Sequence, residues 1–240
     1  MAASANALRW SGQPGHYEVY YLTLTDPHTG LGVWIRYTMV APVANSGAPA
    51  SPAVPPATCA LWFLAMDPGP GSSPPLGRKQ TFEIDALRAQ ADPFELRIGE
   101  ARLTDAGMTG AFADVEWELE WAPAPRSYDS VHPLLQRVGA AQTVLVLPHA
   151  DVSVRGTIAL PGRRLELEGV HGGQAHLWGS KHARRWAWVH CGDFVDADSS
   201  PVADTFVDAV SAVVSRFGRE IGPNTPVVAR VGGRCLLYTS

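Results

Sequence analysis

Residues 115–121 read VEWELEW, Val115 to Trp121. Glu116, Glu118 and Glu120 alternate with Trp117, Leu119 and Trp121. That period of two turns the carboxylates to water and sets two indoles and a leucine against a core. This is a half-buried β-strand, and the pattern spreads outward from it. Downstream, QTVLVLPHADVSVRGTIAL (142–160) and RRLELEGV (163–170) continue it, punctuated by Pro148, Gly156 and Pro161-Gly162. Upstream, HYEVYYLTLTDPHTGLGVWIRYTMVAP (16–42) holds two β-rich runs, 16–25 and 32–41, around Asp26-Pro27-His28-Thr29-Gly30. Pro presets φ, Asp bonds the backbone just after it and Gly accepts positive φ, so a hairpin is expected. TCALWFLAMDP (58–68) is an apolar run of strand length ended by Asp67-Pro68.

Between these runs, 44–57 and 69–77 carry too much Pro, Ala, Ser and Gly to pack and read as loops. HPLLQRVGAA (132–141) reads as a short helix. FVDAVSAVVSRFG (206–218) is undecided: Phe206, Val210, Val213/Val214 and Phe217 have helical spacing, while β-branched valines favour a strand. Many short strands with Gly/Pro turns and few helical segments imply an antiparallel barrel or sandwich.

Composition bounds the function. The chain has 240 residues, 46% hydrophobic and 18% charged, with a net charge of −4. It is long enough for one large all-β domain or two small ones. A nucleic-acid partner would need a clustered basic surface, and Arg184-Arg185 is one pair rather than a stripe. No apolar stretch approaches the ~20 residues that span a bilayer. Met1–Ala7 lacks the basic start and apolar run of a signal peptide. The three cysteines, Cys59, Cys191 and Cys235, form neither a disulfide framework nor a metal pattern, and a cytoplasmic location is the default. Cys235–Ser240 resembles translated adapter read-through, in which case the protein continues past about Gly233 in another sequence; a native terminus is the alternative.

The chemistry candidates lie in GGQAHLWGSKHARRWAWVHC (172–191). His171, His176, His182 and His190 are spaced by five, six and eight residues, which matches no zinc-binding device, and no metal or cofactor is expected. His176 and Trp178 share one side of a strand, placing an imidazole beside an indole. Facing an apolar cavity, His176 is the candidate proton-transfer residue. A buried histidine that pins the strand through a backbone carbonyl is the structural alternative. Trp186, Trp188 and His190 share one face of RWAWVHC (185–191), as ordinary core or as the wall of a pocket for a hydrophobic molecule. There is no nucleophile elbow and no phosphate-binding glycine loop.

HLWG (176–179), RWAWVHC (185–191) and the earlier GHYEVYYLTL (15–24) resemble the carotenoid 1,2-hydratase (hydroxyneurosporene synthase)/AttH-like group, which has tocopherol cyclase-like relatives. The resemblance covers most of Arg9 to about Phe217. It implies an all-β, calycin or lipocalin-like antiparallel barrel over 1–170, with 171–240 starting a second barrel. It also implies an isoprenoid or lipid-like ligand whose double bond is protonated before hydration or cyclisation. On that reading His176 is catalytic, and Trp178, Trp186, Trp188 and His190 line the substrate. The chain departs from the family at Ala175, where the motif often carries a carboxylate.

Overall fold

The computed structural model describes residues 5–43, 54–69, 74–131, 142–216 and 218–238. The helix expected over 132–141 lies outside them, as does most of the 44–57 loop. Among the described residues there is no α-helix, only one 3-10 turn at Ile84–Ala86. None of them forms a helix long and apolar enough to cross a membrane.

The hairpin at the start is β1 (Tyr17–Thr25) and β2 (Gly32–Val40), in register from Tyr17 opposite Val40 to Thr25 opposite Gly32. Asp26 builds its turn: one carboxylate oxygen accepts the His28 N–H at 3.1 Å and the other accepts the Thr29 hydroxyl. β3 (Thr58–Met66) and β4 (Leu76–Glu83) extend the sheet beyond β2. After the 3-10 turn come β5 (Leu87–Ala91), β6 (Phe94–Ile98), β7 (Ala101–Thr104), β8 (Gly107–Phe112) and β9 (Val115–Glu120). β9 is the VEWELEW strand, and Trp117, Leu119 and Trp121 are buried while the three glutamates are exposed.

Two long strands close the arrangement. β11 (Thr143–Leu160) and β12 (Arg163–Gly179) pair with each other, β12 pairs with β1, and β11 pairs with β9 and with the short β10 (Tyr128–Asp129). The path is β4-β3-β2-β1-β12-β11-β9-β8-β7-β6-β5, antiparallel throughout. β11 bends through register shifts at Val146/His149, His149/Val152 and Val154/Arg155. Gly156, at φ +125°, carries one such bend, since a Cβ there would lie 2.0 Å from the Glu118 carbonyl oxygen.

The sheet curls into a half-barrel around one core. Tyr37 on β2 donates across the interior to the carbonyls of Arg102 and Thr109 on β7 and β8, at 3.1 and 3.4 Å. Phe63 on β3 meets Trp117 on β9 with ring centroids 6.0 Å apart. This is the all-β, lipocalin-like architecture expected from the sequence.

The second sheet contains β13 (Arg185–Cys191), β14 (Phe206–Arg216), β15 (Arg219–Asn224), β16 (Val227–Val231) and β17 (Arg234–Tyr238). The undecided segment 206–218 is thus strand β14 up to Arg216. β13 lies on one side of it, and β15 and β16 on the other. Those partners satisfy its backbone and override the helical spacing of its valines. β12 runs unbroken through residues 170 and 171, so the first sheet extends to Gly179.

The two sheets share an apolar layer. Tyr17, Val19, Tyr21, Leu145, Leu147, Ala150 and Ala175 of the first pack with Phe206 and Val228 of the second, joined by Trp34, Leu177, Trp188 and Val210.

Candidate functional site

β12 sorts the candidate residues by parity, because successive side chains of a strand point to opposite faces. Gln174, His176 and Trp178 turn toward the half-barrel interior. His171, Gly173, Ala175 and Leu177 turn toward the second sheet. The five candidate residues therefore do not meet in one place.

His176 is fully buried, and both its ring nitrogens are engaged. Nδ1 donates to the Ala5 carbonyl at 2.8 Å, and Nε2 lies 2.7 Å from Glu18 Oε1. The Tyr20 ring stacks on the imidazole at 4.0 Å, and Trp178 leans against it at 4.7 Å. Glu18 Oε1 also accepts from the Tyr20 hydroxyl and the Arg9 N–H, each at 2.8 Å, while Glu18 Oε2 is buried without a partner among the described residues. Residues 5–10 roof this network. Asn6 bridges Gln174 at 3.0 Å and Asp105 at 2.7 Å, and the Arg9 guanidinium sits over Trp178 at 5.5 Å. Burial, with Glu18 beside it, holds the Tyr20 phenol far above its ordinary value.

Glu18 escaped the sequence reading although its signal is local. In Tyr17-Glu18-Val19-Tyr20-Tyr21-Leu22-Thr23-Leu24 it falls in phase with Tyr20, Leu22 and Leu24, a lone carboxylate on the core face.

Trp188 and His190 belong to the other face. Asp208 of β14 stands opposite His190 of β13, and the two are nearly buried, with side-chain exposures of 6% and 7%. Asp208 Oδ2 accepts from Trp188 Nε1 at 3.1 Å and lies 3.3 Å from His190 Nδ1. His190 Nε2 is buried without a partner among the described residues. The His190 ring rests on Gly173, where a Cβ would lie 2.5 Å from Cε1, so only glycine admits the ring at this depth. Trp188 and Trp34 each meet Tyr21 edge-on at 5.7 Å. Burial first, then the Asp208 charge, push the Tyr21 phenol up, with Arg36 pulling the other way.

The remaining candidates stand apart. Trp186 follows the parity of Trp188 but is 59% exposed, outside the shared layer. His182 stacks on Tyr17 at 3.8 Å, and burial lowers its pKa. His171 holds Asp151 at 2.7 Å, and that hydrogen bond raises its pKa. Asp151 also faces Arg230 at 3.6 Å across the sheets, beside a cleft of about 200 Å³ lined by Tyr128, Ala150 and Phe206. A concavity of about 750 Å³ is a groove over β6–β9 lined by Glu95, Arg102, Thr109 and Glu118; it touches none of the five candidate residues.

Two solved structures share this architecture. An AttH candidate from Nitrosomonas europaea superposes with a TM-score of 0.62 at 14% identity, over 93% of this chain and 68% of that one. Kievitone hydratase from Nectria haematococca superposes with a TM-score of 0.52 at 10% identity, over 99% of this chain and 70% of its own. The chain has their fold. In sequence it is similar to an uncharacterised protein of Mycobacterium tuberculosis, matched in two strains, at 30% identity over 238 residues and 96% of this chain. The chain spans 64% of the length of those curated relatives. No family model matches it.

Proposed function

We propose that the layer between the two sheets binds a hydrophobic, isoprenoid-like small molecule, and that Asp208 protonates a double bond of that molecule so that water adds to it. On this reading the second sheet is the opening part of a second barrel, and the ligand lies where the two meet. The observation that carries the proposal is a nearly buried carboxylate set among aromatic rings, with one oxygen committed and the other not.

Asp208 Oδ2 is held by Trp188 Nε1 and His190 Nδ1, while Oδ1 has no hydrogen-bond partner among the described residues. In the proton-carrying form of Asp208 that the scheme requires, Oδ1–H passes its proton to an alkene carbon. The cation left on the neighbouring carbon faces the rings of Tyr21, Trp34 and Trp188, whose negative faces stabilise positive charge. Water adds to the cation and loses a proton to the Asp208 carboxylate, which restores the acid. Alkene and water become alcohol, and nothing is oxidised or reduced. Ala175 is no obstacle to this route. It belongs to the layer against which Trp188, the partner of Asp208, is packed, so a carboxylate from the facing sheet serves where the resemblance leads one to look for one at position 175. That one structural neighbour is by name a hydratase fits this chemistry.

A second reading keeps His176 as the proton-transfer residue, working with Glu18 inside the half-barrel. The unpartnered Glu18 Oε2 favours it. The closed roof and the two engaged imidazole nitrogens weigh against it.

One experiment separates the two. The full-length protein is incubated with farnesol in ¹⁸O-labelled water and the organic extract is read by mass spectrometry. The proposal expects a product carrying one labelled water. It expects Asp208→Asn to lower turnover by at least about a hundredfold with farnesol still bound, and Glu18→Gln to keep most activity. Turnover unchanged in D208N but lost in H176A would move the chemistry to the interior pair. Bound, unmodified farnesol throughout would leave a binding protein.

A further inference from the structure

The same face of the first sheet carries a cationic feature that the proton-transfer scheme does not use. Reading across the strand register, Ala175, Tyr21, Arg36, Trp62 and Lys79 stand side by side on β12, β1, β2, β3 and β4. All five point to the layer side of the sheet, opposite to Tyr20, Ile35 and Phe63. The Arg36 guanidinium lies 5.4 Å from the Trp34 ring and 5.8 Å from the Trp62 ring, and Lys79 Nζ stands 4.4 Å over Trp62.

Two cations thus share an aromatic cradle, and no carboxylate among the described residues pairs with Arg36. Arg36 is half-buried, and a charge that loses part of its hydration is ordinarily paired. Two donors remain open on this face. Arg36 Nε and Trp34 Nε1 are both buried without an acceptor among the described residues, and they sit two positions apart on one strand. Such donors call for an acceptor that approaches from the open side. A guanidinium fork between indoles matches a planar carboxylate attached to an apolar body, since the fork bonds both oxygens and the rings cover the body. The surroundings agree: burial holds the Arg36 guanidinium somewhat below its ordinary value, and Arg36 in turn helps keep His182 neutral.

We infer that Arg36, with Trp34 and Trp62, forms a carboxylate subsite, and that the molecule bound between the sheets is an apolar acid whose carboxylate rests on Arg36 while its chain passes Tyr21 toward Asp208. The inference rests on the ligand layer proposed above and names the class of ligand it takes. Tyr21 is the link. Its ring touches both Trp34 and Trp188, so one extended molecule spans the two ends.

The test compares farnesoic acid, its methyl ester and farnesol, three ligands with one apolar body, by tryptophan-fluorescence titration of the full-length protein at neutral pH. A charged hydrogen-bonded contact makes the acid bind about ten- to a hundredfold more tightly than the ester or the alcohol. Raising the salt concentration narrows that gap, and Arg36→Met removes it while leaving farnesol affinity unchanged. Equal binding of acid, ester and alcohol to the wild-type protein would overturn the carboxylate subsite and leave the apolar layer standing. A preference for the acid that persists in R36M, shown folded by its circular dichroism, would overturn the subsite as well. Binding of none of the three would overturn both the subsite and the layer on which it rests. The ester comparison needs no variant, so it holds even if R36M fails to fold.

Discussion

Gly173→Ala is the sharpest perturbation of the layer between the sheets. The new Cβ would lie 2.5 Å from His190 Cε1 and 2.9 Å from both ring nitrogens. His190 cannot swing to solvent freely, because its side chain is 7% exposed and tied to Asp208. Two terms compete. Relieving a mid-strand glycine favours alanine by about 0.5–1 kcal/mol, and forcing a Cβ against the His190 ring costs about 1–3 kcal/mol as overpacking. The clash prevails, for a net loss of about 1 kcal/mol, up to ~2. In a His190→Ala background the ring is gone and only the first term remains, so the same substitution becomes stabilising by about 0.5–1 kcal/mol. Urea unfolding of the four proteins, combined as a double-mutant cycle, reads this reversal as a coupling of about 1–3 kcal/mol. A Gly173→Ala cost that is the same with and without the imidazole would refute the packing of His190 on Gly173, and with it the seating of the second sheet.

Further outcomes follow from the buried polar groups. Glu18→Ala strips the partner from His176 Nε2 and the Arg9 N–H at once and leaves the Tyr20 hydroxyl only the Asn6 carbonyl, and should cost about 3–5 kcal/mol in denaturant titration; Glu18→Gln, which keeps an acceptor oxygen, should cost clearly less. His149 accepts the Ala124 N–H through Nδ1 at 3.1 Å, and burial lowers its pKa. A histidine depressed on folding stabilises the neutral form, so its contribution is intact above the unfolded value of about 6.5 and is lost as pH falls through the folded one. His149→Gln should flatten part of the stability loss between about pH 7 and 5, and an unchanged slope would remove His149 from it. His171 acts with the opposite sign. Its pKa is raised, chiefly by the Asp151 hydrogen bond, so its contribution is complete below about 6.5 and fades as pH rises through the folded value. His171→Asn should remove that fade in the same titrations.

What the sequence made legible was local. VEWELEW alternates so regularly that burial follows from spacing, and Asp26-Pro27 specifies its turn through bonds made within three residues. β14 was not legible, because its valines fit two periodicities and its pairing with β13, β15 and β16 is decided by segments far along the chain. That ambiguity hid Asp208, which from sequence reads as one more solvated loop acid beside Asp193, Asp196 and Asp198 and is instead buried on β14. Without a strand there was no parity, and with no parity nothing set Asp208 on the face of Phe206. The parity of β12 and β13 separated His176 from Ala175, and Trp188 from Val189, but alternation says which side a residue takes, not what covers that side. Trp186 illustrates the limit: it shares a face with Trp188 and still stands in solvent. Glu18 could have been found by asking which carboxylate falls in phase with a core.

The most direct test follows the tryptophan indole N–H signals by NMR as farnesol is added to the full-length protein. The account predicts a saturable shift of Trp188 Nε1–H, which Asp208 holds in the layer between the sheets, with Trp117 Nε1–H in the half-barrel core unmoved. A shift at Trp117 with none at Trp188, or no shift at either, would contradict it.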